Sequence, residues 1–202
     1  MARGPRYNVP FRRKREGKTD YKKRMRLVLS EIPRLAIRPT NMHIMVQLIE
    51  ARPKGDFTLV SASSVELMKR YDWKANCGNL PSAYLTGLLA GYKAREKDFK
   101  KAVLDIGLHI SSRGSRIYSA LKGAIDAGME IPHSEEILPN LERIQGKHIL
   151  NYSEILKENA DPNNKQFSKY ISKKFDPKGI CDHFEEVKEK IIQDHSKVKA
   201  KA

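Results

Sequence analysis

Apolar positions along the chain come in short blocks whose spacing changes from one block to the next. Leu35-Ala36-Ile37-Arg38 reads as a short strand between a break at Ile32-Pro33-Arg34 and the turn residues Pro39-Thr40-Asn41. Over residues 43–49, Ile44, Val46 and Leu48 alternate with Met45, Gln47 and Ile49. Most of both sets is apolar, which predicts a strand covered on both faces. Arg52-Pro53-Lys54-Gly55-Asp56 is a turn, and the β-branched and aromatic run 57–62 completes a hairpin. Ser63 or Ser64 caps a short helix over 65–70, and residues 73–78 read as a loop. A long helix follows, with Pro81 in its first turn and a stripe of Leu85, Leu88, Leu89 and Tyr92, turning polar at Lys93. Residues 102–106 read as a short, mostly buried strand. After a loop rich in serine and glycine, Ser115 caps a helix with Ile117, Leu121, Ala124 and Ile125 inward, and Gly128 ends it.

Beyond residue 132 the pattern is helical and poor in strands. Leu141, Ile144, Ile149, Tyr152, Ile155 and Leu156 form one apolar face, and Asp161-Pro162-Asn163-Asn164 breaks it. Asp182 with Glu185 resembles a capping box opening a helix with Phe184, Val187 and Ile191 on one side, and the tail over 197–201 should fray. The fold class expected is α/β, a mixed sheet with helices packed on it. It spans 27–132, behind a basic arm over 1–26 that should be disordered when free and ahead of a mainly helical extension over 133–202.

Charge changes this picture most. The chain has 202 residues and a net charge of +15, and residues 1–40 alone hold 13 basic against three acidic side chains. A charge concentrated at one end reads as an arm for a polyanion. That arm carries Arg3, Arg6, Tyr7, Phe11, Arg12, Arg13, Lys14, Arg15, Lys18, Tyr21, Lys22, Lys23 and Arg24. Guanidinium groups fork phosphate oxygens, and the interleaved rings of Tyr7, Phe11 and Tyr21 offer surfaces for unstacked bases. Opposite phosphates the arm's self-repulsion vanishes and counterions are released. A membrane surface fits less well, because Pro5 and Pro10 interrupt any amphipathic helix and few bulky apolar residues are present. No apolar run approaches the roughly 18 residues of a membrane span, and no apolar segment follows the first basic residues as in a secretory signal. Two cysteines make no disulfide framework, so reduced thiols in the cytoplasm are expected.

Catalytic and metal-binding signals are weak. Ser111-Ser112-Arg113-Gly114-Ser115-Arg116 follows a strand and opens a helix, yet lacks the spacing of a phosphate-binding nucleotide loop. It reads either as a contact of Arg113 and Arg116 with RNA backbone or as a surface turn. Cys181-x-His183 with His195 has no second close pair to complete a tetrahedral set, so neither metal nor cofactor is expected. Asp105, at a strand end, reads as a capping or turn carboxylate sooner than as an acid–base group.

The arm pattern Tyr7-x-x-Pro10-Phe11-Arg12-Arg13-x-Arg15-Glu16-Gly17-Lys18-Thr19-Asp20-Tyr21 resembles the universal 5S rRNA-binding ribosomal protein family of the large subunit, in its archaeal and eukaryotic branch. The likeness continues through Pro33-Arg34-Leu35, Asn41-x-His43-Ile44, Asn79-x-x-x-Ala83-Tyr84-Leu85-Thr86-Gly87, Asp105-Ile106-Gly107-Leu108, Gly114-Ser115-Arg116 and Leu121-Lys122-Gly123-Ala124 to Ile131-Pro132-His133. Gly146-x-His148-Ile149 and His183-Phe184 are similar to the archaeal extension. The resemblance implies a non-enzymatic protein that binds 5S rRNA and helps dock it in the central protuberance. Its neighbours there would be the large-subunit rRNA and the other 5S-associated ribosomal proteins, with no membrane involved. By position it puts Arg12, Arg13, Arg15, Lys18 and Tyr21 on RNA, with Arg34, Arg38 and Asn41 near the sheet edge. The alternatives from the residues alone are a general RNA- or DNA-binding protein and an RNA-processing enzyme.

Overall fold

A computed structural model describes residues 4–158, 165–173 and 175–199. Two short arm helices, α1 (Arg12–Arg15) and α2 (Tyr21–Val28), precede strands β1 (Arg34–Pro39), β2 (Ile44–Arg52) and β3 (Gly55–Ser63). Helices α3 (Ser64–Arg70) and α4 (Leu80–Glu96), strand β4 (Val103–Asp105) and helix α5 (Arg116–Asp126) complete the body. Helices α6 (Leu141–Gln145), α7 (Lys147–Glu158), α8 (Ser168–Ser172) and α9 (Ile180–Lys199) form the C-terminal part. The sheet order is β3-β2-β1-β4, with β1 antiparallel to β2 and parallel to β4, so the sheet is mixed as expected. The hairpin forms as well, with a register shift between Leu48 and Ile49.

One face of the sheet carries Leu35, Ile37, Ile44, Val46, Leu48, Val60 and Ala62, all buried beneath α4 and α5. The expectation that β2 is covered on both faces is not met. Met45 is 44% exposed, and Gln47 and Ile49 are half-buried. The body helices pack on the other side, so apolar character at Met45 and Ile49 did not signal a second helical layer. This open face also holds Arg34, Ala36 and Arg38 of β1 and Asp105 of β4, which share it by register.

Asn79 opens α4, its side chain accepting from the Ser82 N–H at 2.9 Å, with Pro81 in the first turn as expected. The four-residue stripe predicted for α4 is too narrow, since thirteen of its 17 residues are buried. The helix lies between the sheet, α5 and α9, so nearly every direction around it is protein. Glycine lets α4 and α5 meet backbone to backbone: a Cβ at Gly87 would stand 1.9 Å from the Ala120 carbonyl oxygen, and one at Gly123 2.1 Å from that of Tyr84. Ser63 caps α3 through the Val65 N–H, and Gly128 at φ +93° follows α5, both as predicted. Ser115 occupies the cap position of α5, but its side chain makes no capping bond.

In the C-terminal part, Phe184, Val187 and Ile191 are buried as expected, with the Phe184 ring 5.5 Å from that of Tyr84 on α4. Asp182 does not cap α9. The helix starts two residues earlier at Ile180, after a turn over Pro177–Gly179 in which Asp176 accepts from the Lys178 N–H. The predicted single face over 141–156 also breaks up. Ile144 is buried, whereas Leu141, Tyr152 and Ile155 are exposed. Gly146, at φ +95°, ends α6 and turns the chain, so α6 and α7 share no common stripe. Helix continues through 197–199, where fraying was expected, and the 161–164 break and residues 200–201 lie outside the described residues. His183 stacks on Trp73 at 5.1 Å and accepts the Lys74 N–H at 3.1 Å, while His195 stands 2.6 Å from Glu96 and stacks on Tyr92. Body and C-terminal part therefore share one apolar core. No helix of the described residues is long and apolar enough to cross a membrane.

Candidate nucleic-acid interface

The arm is helical where it meets the body. Asp20 caps α2, its carboxylate accepting the N–H groups of Lys22 at 3.0 Å and Lys23 at 3.2 Å. One turn later Arg24 forks Asp56 with bonds of 2.6 and 2.7 Å, tying α2 to the start of β3. Asp56 also lies 2.9 Å from Arg34, and Arg34 donates to Asp105 at 2.9 Å. Asp105 in turn accepts from Arg38 at 3.0 Å and from the Gly107 N–H at 2.8 Å. Arg24, Asp56, Arg34, Asp105 and Arg38 thus alternate in charge across the open face. Arg34 and Asp105 are the buried rungs, 5% and 9% exposed in their side chains. Such a chain satisfies charges that could not otherwise leave water. The Arg24 guanidinium, with Arg34 beside it, holds the Asp56 carboxyl below the usual carboxylate range.

Anchoring at Arg24 leaves the rest of the arm turned to solvent. Arg6, Arg12, Arg13, Lys14, Arg15, Lys18, Lys22 and Lys23 are exposed, and Arg3 lies outside the described residues. Glu16 pairs with Arg12 at 3.4 Å and Lys18 at 2.9 Å, while Arg13 donates its Nε–H to Thr19 at 2.9 Å. Among the described residues, Lys14, Arg15, Lys22 and Lys23 stand in no ion pair. Phe11 is 72% exposed with its ring 5.2 Å from that of half-buried Tyr21, and Tyr7 is exposed. Two flat surfaces therefore remain available beside the cations.

The other expected contacts sit differently. Arg34 lies beneath the arm and is engaged by two carboxylates. Arg38 is half-buried, bonding the Ile37 and Asp105 carbonyls at 3.1 and 2.6 Å. Asn41 is exposed, and Arg116 ties the adjacent Thr40 carbonyl to that of Gly78 at 2.8 and 2.9 Å. Arg113 is exposed and pairs with Glu136 at 3.2 Å. Sequence reasoning missed Asp56, which reads as an ordinary hairpin-turn residue; it read Asp105 as a capping or turn carboxylate, which the bond from the Gly107 N–H bears out, but missed its ion pairs with Arg34 and Arg38. Nothing local marks these ion pairs, because the arginine partners lie 32 and 71 residues away. Cys181, His183 and His195 are not gathered, and no group of three potential ligands stands close enough to hold a metal ion among the described residues.

An α/β body presenting an anchored polycationic arm defines a polyanion-binding protein. The sequence matches the family described as Ribosomal large subunit proteins 60S L5, and 50S L18 over residues 5–99 and 92–134, and the chain belongs to that family. Its class is accordingly that of a 5S rRNA-binding protein of the large ribosomal subunit.

Proposed function

We propose that the chain is a non-enzymatic clamp that holds 5S rRNA through its arm and helps dock that RNA in the central protuberance. Its neighbours there are the large-subunit rRNA and the other 5S-associated proteins. One observation carries this reading: Arg24, Asp56 and Arg34 fasten α2 to the sheet while the cations of α1 and Lys22 and Lys23 face solvent. A fastened arm loses less conformational freedom on binding than a free one. Its guanidinium and ammonium groups meet phosphates, and Tyr7 and Phe11 receive unstacked bases. The body then sets the orientation of the arm relative to the rest of the particle.

The test is competition binding at about 150 mM salt, where distant charge contacts are screened. Labelled 5S rRNA faces excess structured RNA of similar size. The full chain is compared with a variant carrying Arg12→Gln, Arg13→Gln, Lys14→Gln and Arg15→Gln, which leaves the Arg24 anchor in place. The clamp requires that 5S rRNA resist competition and that the variant lose on the order of a hundredfold in affinity. Equal displacement by unrelated RNA or duplex DNA would make the arm a general polyanion binder instead. The docking role is checked by whether particles assembled with the variant retain 5S rRNA.

A further inference from the structure

The cleft between the arm and the open sheet face has a volume of about 330 Å³. Its walls include Arg13, Lys18 and Lys23 from the arm and Arg38 and His109 from the body, with Arg34 beneath. Three carboxylates also line it, and each is already satisfied. Asp20 caps α2, Asp56 holds Arg24 and Arg34, and Asp105 holds Arg34 and Arg38. The cations are not all satisfied. Arg13 uses Nε on Thr19, and among the described residues its Nη fork has no acceptor. Lys23 is in no ion pair there. Arg38 is fixed by three bonds from its Nη atoms, leaving Nε–H without an acceptor. Arg34 is 4% exposed, and its Nε is buried with no acceptor.

Arg38 is also set in place by shape. Gly107, at φ +63°, lies under its guanidinium, and a Cβ there would stand 3.1 Å from Arg38 Cζ. The geometry points to a seat for one tetrahedral phosphate group, bridged from the arm by Arg13 and Lys23 and from the sheet by Arg38. This rests on the RNA-binding reading and deepens it: the group is a phosphodiester of the RNA backbone, gripped between arm and body. A phosphate there meets the free Nη fork of Arg13 and the Lys23 ammonium from the arm and the fixed Arg38 Nε–H from the sheet, over the Arg34 Nε–H that has no acceptor.

The test follows the Nε–Hε resonances of Arg13 and Arg38 in the full chain during titration with inorganic phosphate at constant ionic strength, with Arg52 and Arg113 as controls outside the cleft. Saturable shifts at Arg13 and Arg38 alone, abolished in an Arg13→Gln/Lys23→Gln variant, are expected. In parallel, the salt dependence of 5S rRNA binding should become shallower in that variant by about 0.7–0.9 in log K against log salt, the value for one phosphate contact. Both substitutions are at exposed positions, so folding is retained, and circular dichroism checks it. Phosphate binding with an unchanged salt slope would overturn the backbone assignment and leave a site for free phosphate. Absence of saturable shifts while 5S rRNA still binds tightly would overturn the seat and leave the clamp standing. Failure of 5S rRNA to bind selectively would overturn the clamp itself, whatever phosphate does.

Discussion

Asp105→Asn removes one charge from the centre of the chain of ion pairs. The Asp105 side chain is 9% exposed and accepts from Arg34, Arg38 and the Gly107 N–H. An asparagine keeps the size, and its oxygen can take one of these bonds. It cannot neutralise a guanidinium that is 5% exposed. Removing one partner of a buried pair costs roughly 3–5 kcal/mol, because the other charge stays out of water. Arg34 retains Asp56 at 2.9 Å, so the loss here should fall near about 3 kcal/mol. For a chain of this size that lowers the melting temperature by roughly 6–12 °C. Urea unfolding of the full chain measures it, with an unchanged slope showing that the surface exposed on unfolding is the same. A paired Arg34→Met/Asp105→Leu variant should recover most of the loss, since no buried charge is left orphaned: Asp56 keeps Arg24, and Arg38, which loses Asp105, is 39% exposed and stays hydrated. A loss below about 1 kcal/mol for Asp105→Asn, or a double variant as unstable as the single, would refute the claim that Asp105 compensates a buried charge.

Three further outcomes follow from the geometry. Gly123→Ala forces a methyl within 2.1 Å of the Tyr84 carbonyl oxygen, so α4 and α5 must separate, and calorimetry should show a loss at or above the upper end of the roughly 1–3 kcal/mol typical of overpacking. His183 is held below its ordinary value, chiefly by burial, with Glu186 opposing. Its neutral form is therefore the folded one: its contribution to stability is complete above about pH 6.5 and is lost as pH falls through the lowered value. His183→Gln should flatten that part of a stability-against-pH profile, and an unchanged profile would assign the acid sensitivity elsewhere. Lys93 and Lys97 donate to the Ser61 and Leu59 carbonyls of the edge strand β3 at 3.1 and 2.7 Å, covering acceptors that another chain could pair with. Lys93→Ala/Lys97→Ala should self-associate more readily at equal concentration in sedimentation velocity, with little change in secondary structure.

Much of the fold was legible because its signals are local. The 43–62 hairpin follows from alternation on both sides of a Pro-Lys-Gly turn, and the Ser63 cap and Gly128 terminus follow from one residue each. The basic arm was legible for the same reason, since charge density needs no partner to be counted. Where prediction failed, the deciding partner lay far along the chain. Met45 and Ile49 look like the inner face of a second layer, yet whether a helix covers them depends on where α4 and α5 turn. Asp182 and Glu185 have capping spacing, but α9 starts earlier because Ile180 is drawn into the shared core.

By itself the sequence determined the order of the body's elements, the hairpin turn, the Ser63 cap and the Gly128 terminus, and the accumulation of cations in the first 26 residues, because periodicity, backbone preference and charge act within a few residues. Tertiary structure alone decided that α4 is buried on nearly every side and that one sheet face is left by the body helices to the arm. It also decided that Arg34 serves as an internal tie and that Asp56 fastens the arm. Each of these depends on side chains brought together across tens of residues, where burial raises the cost of an unpaired charge and only one arrangement satisfies them all.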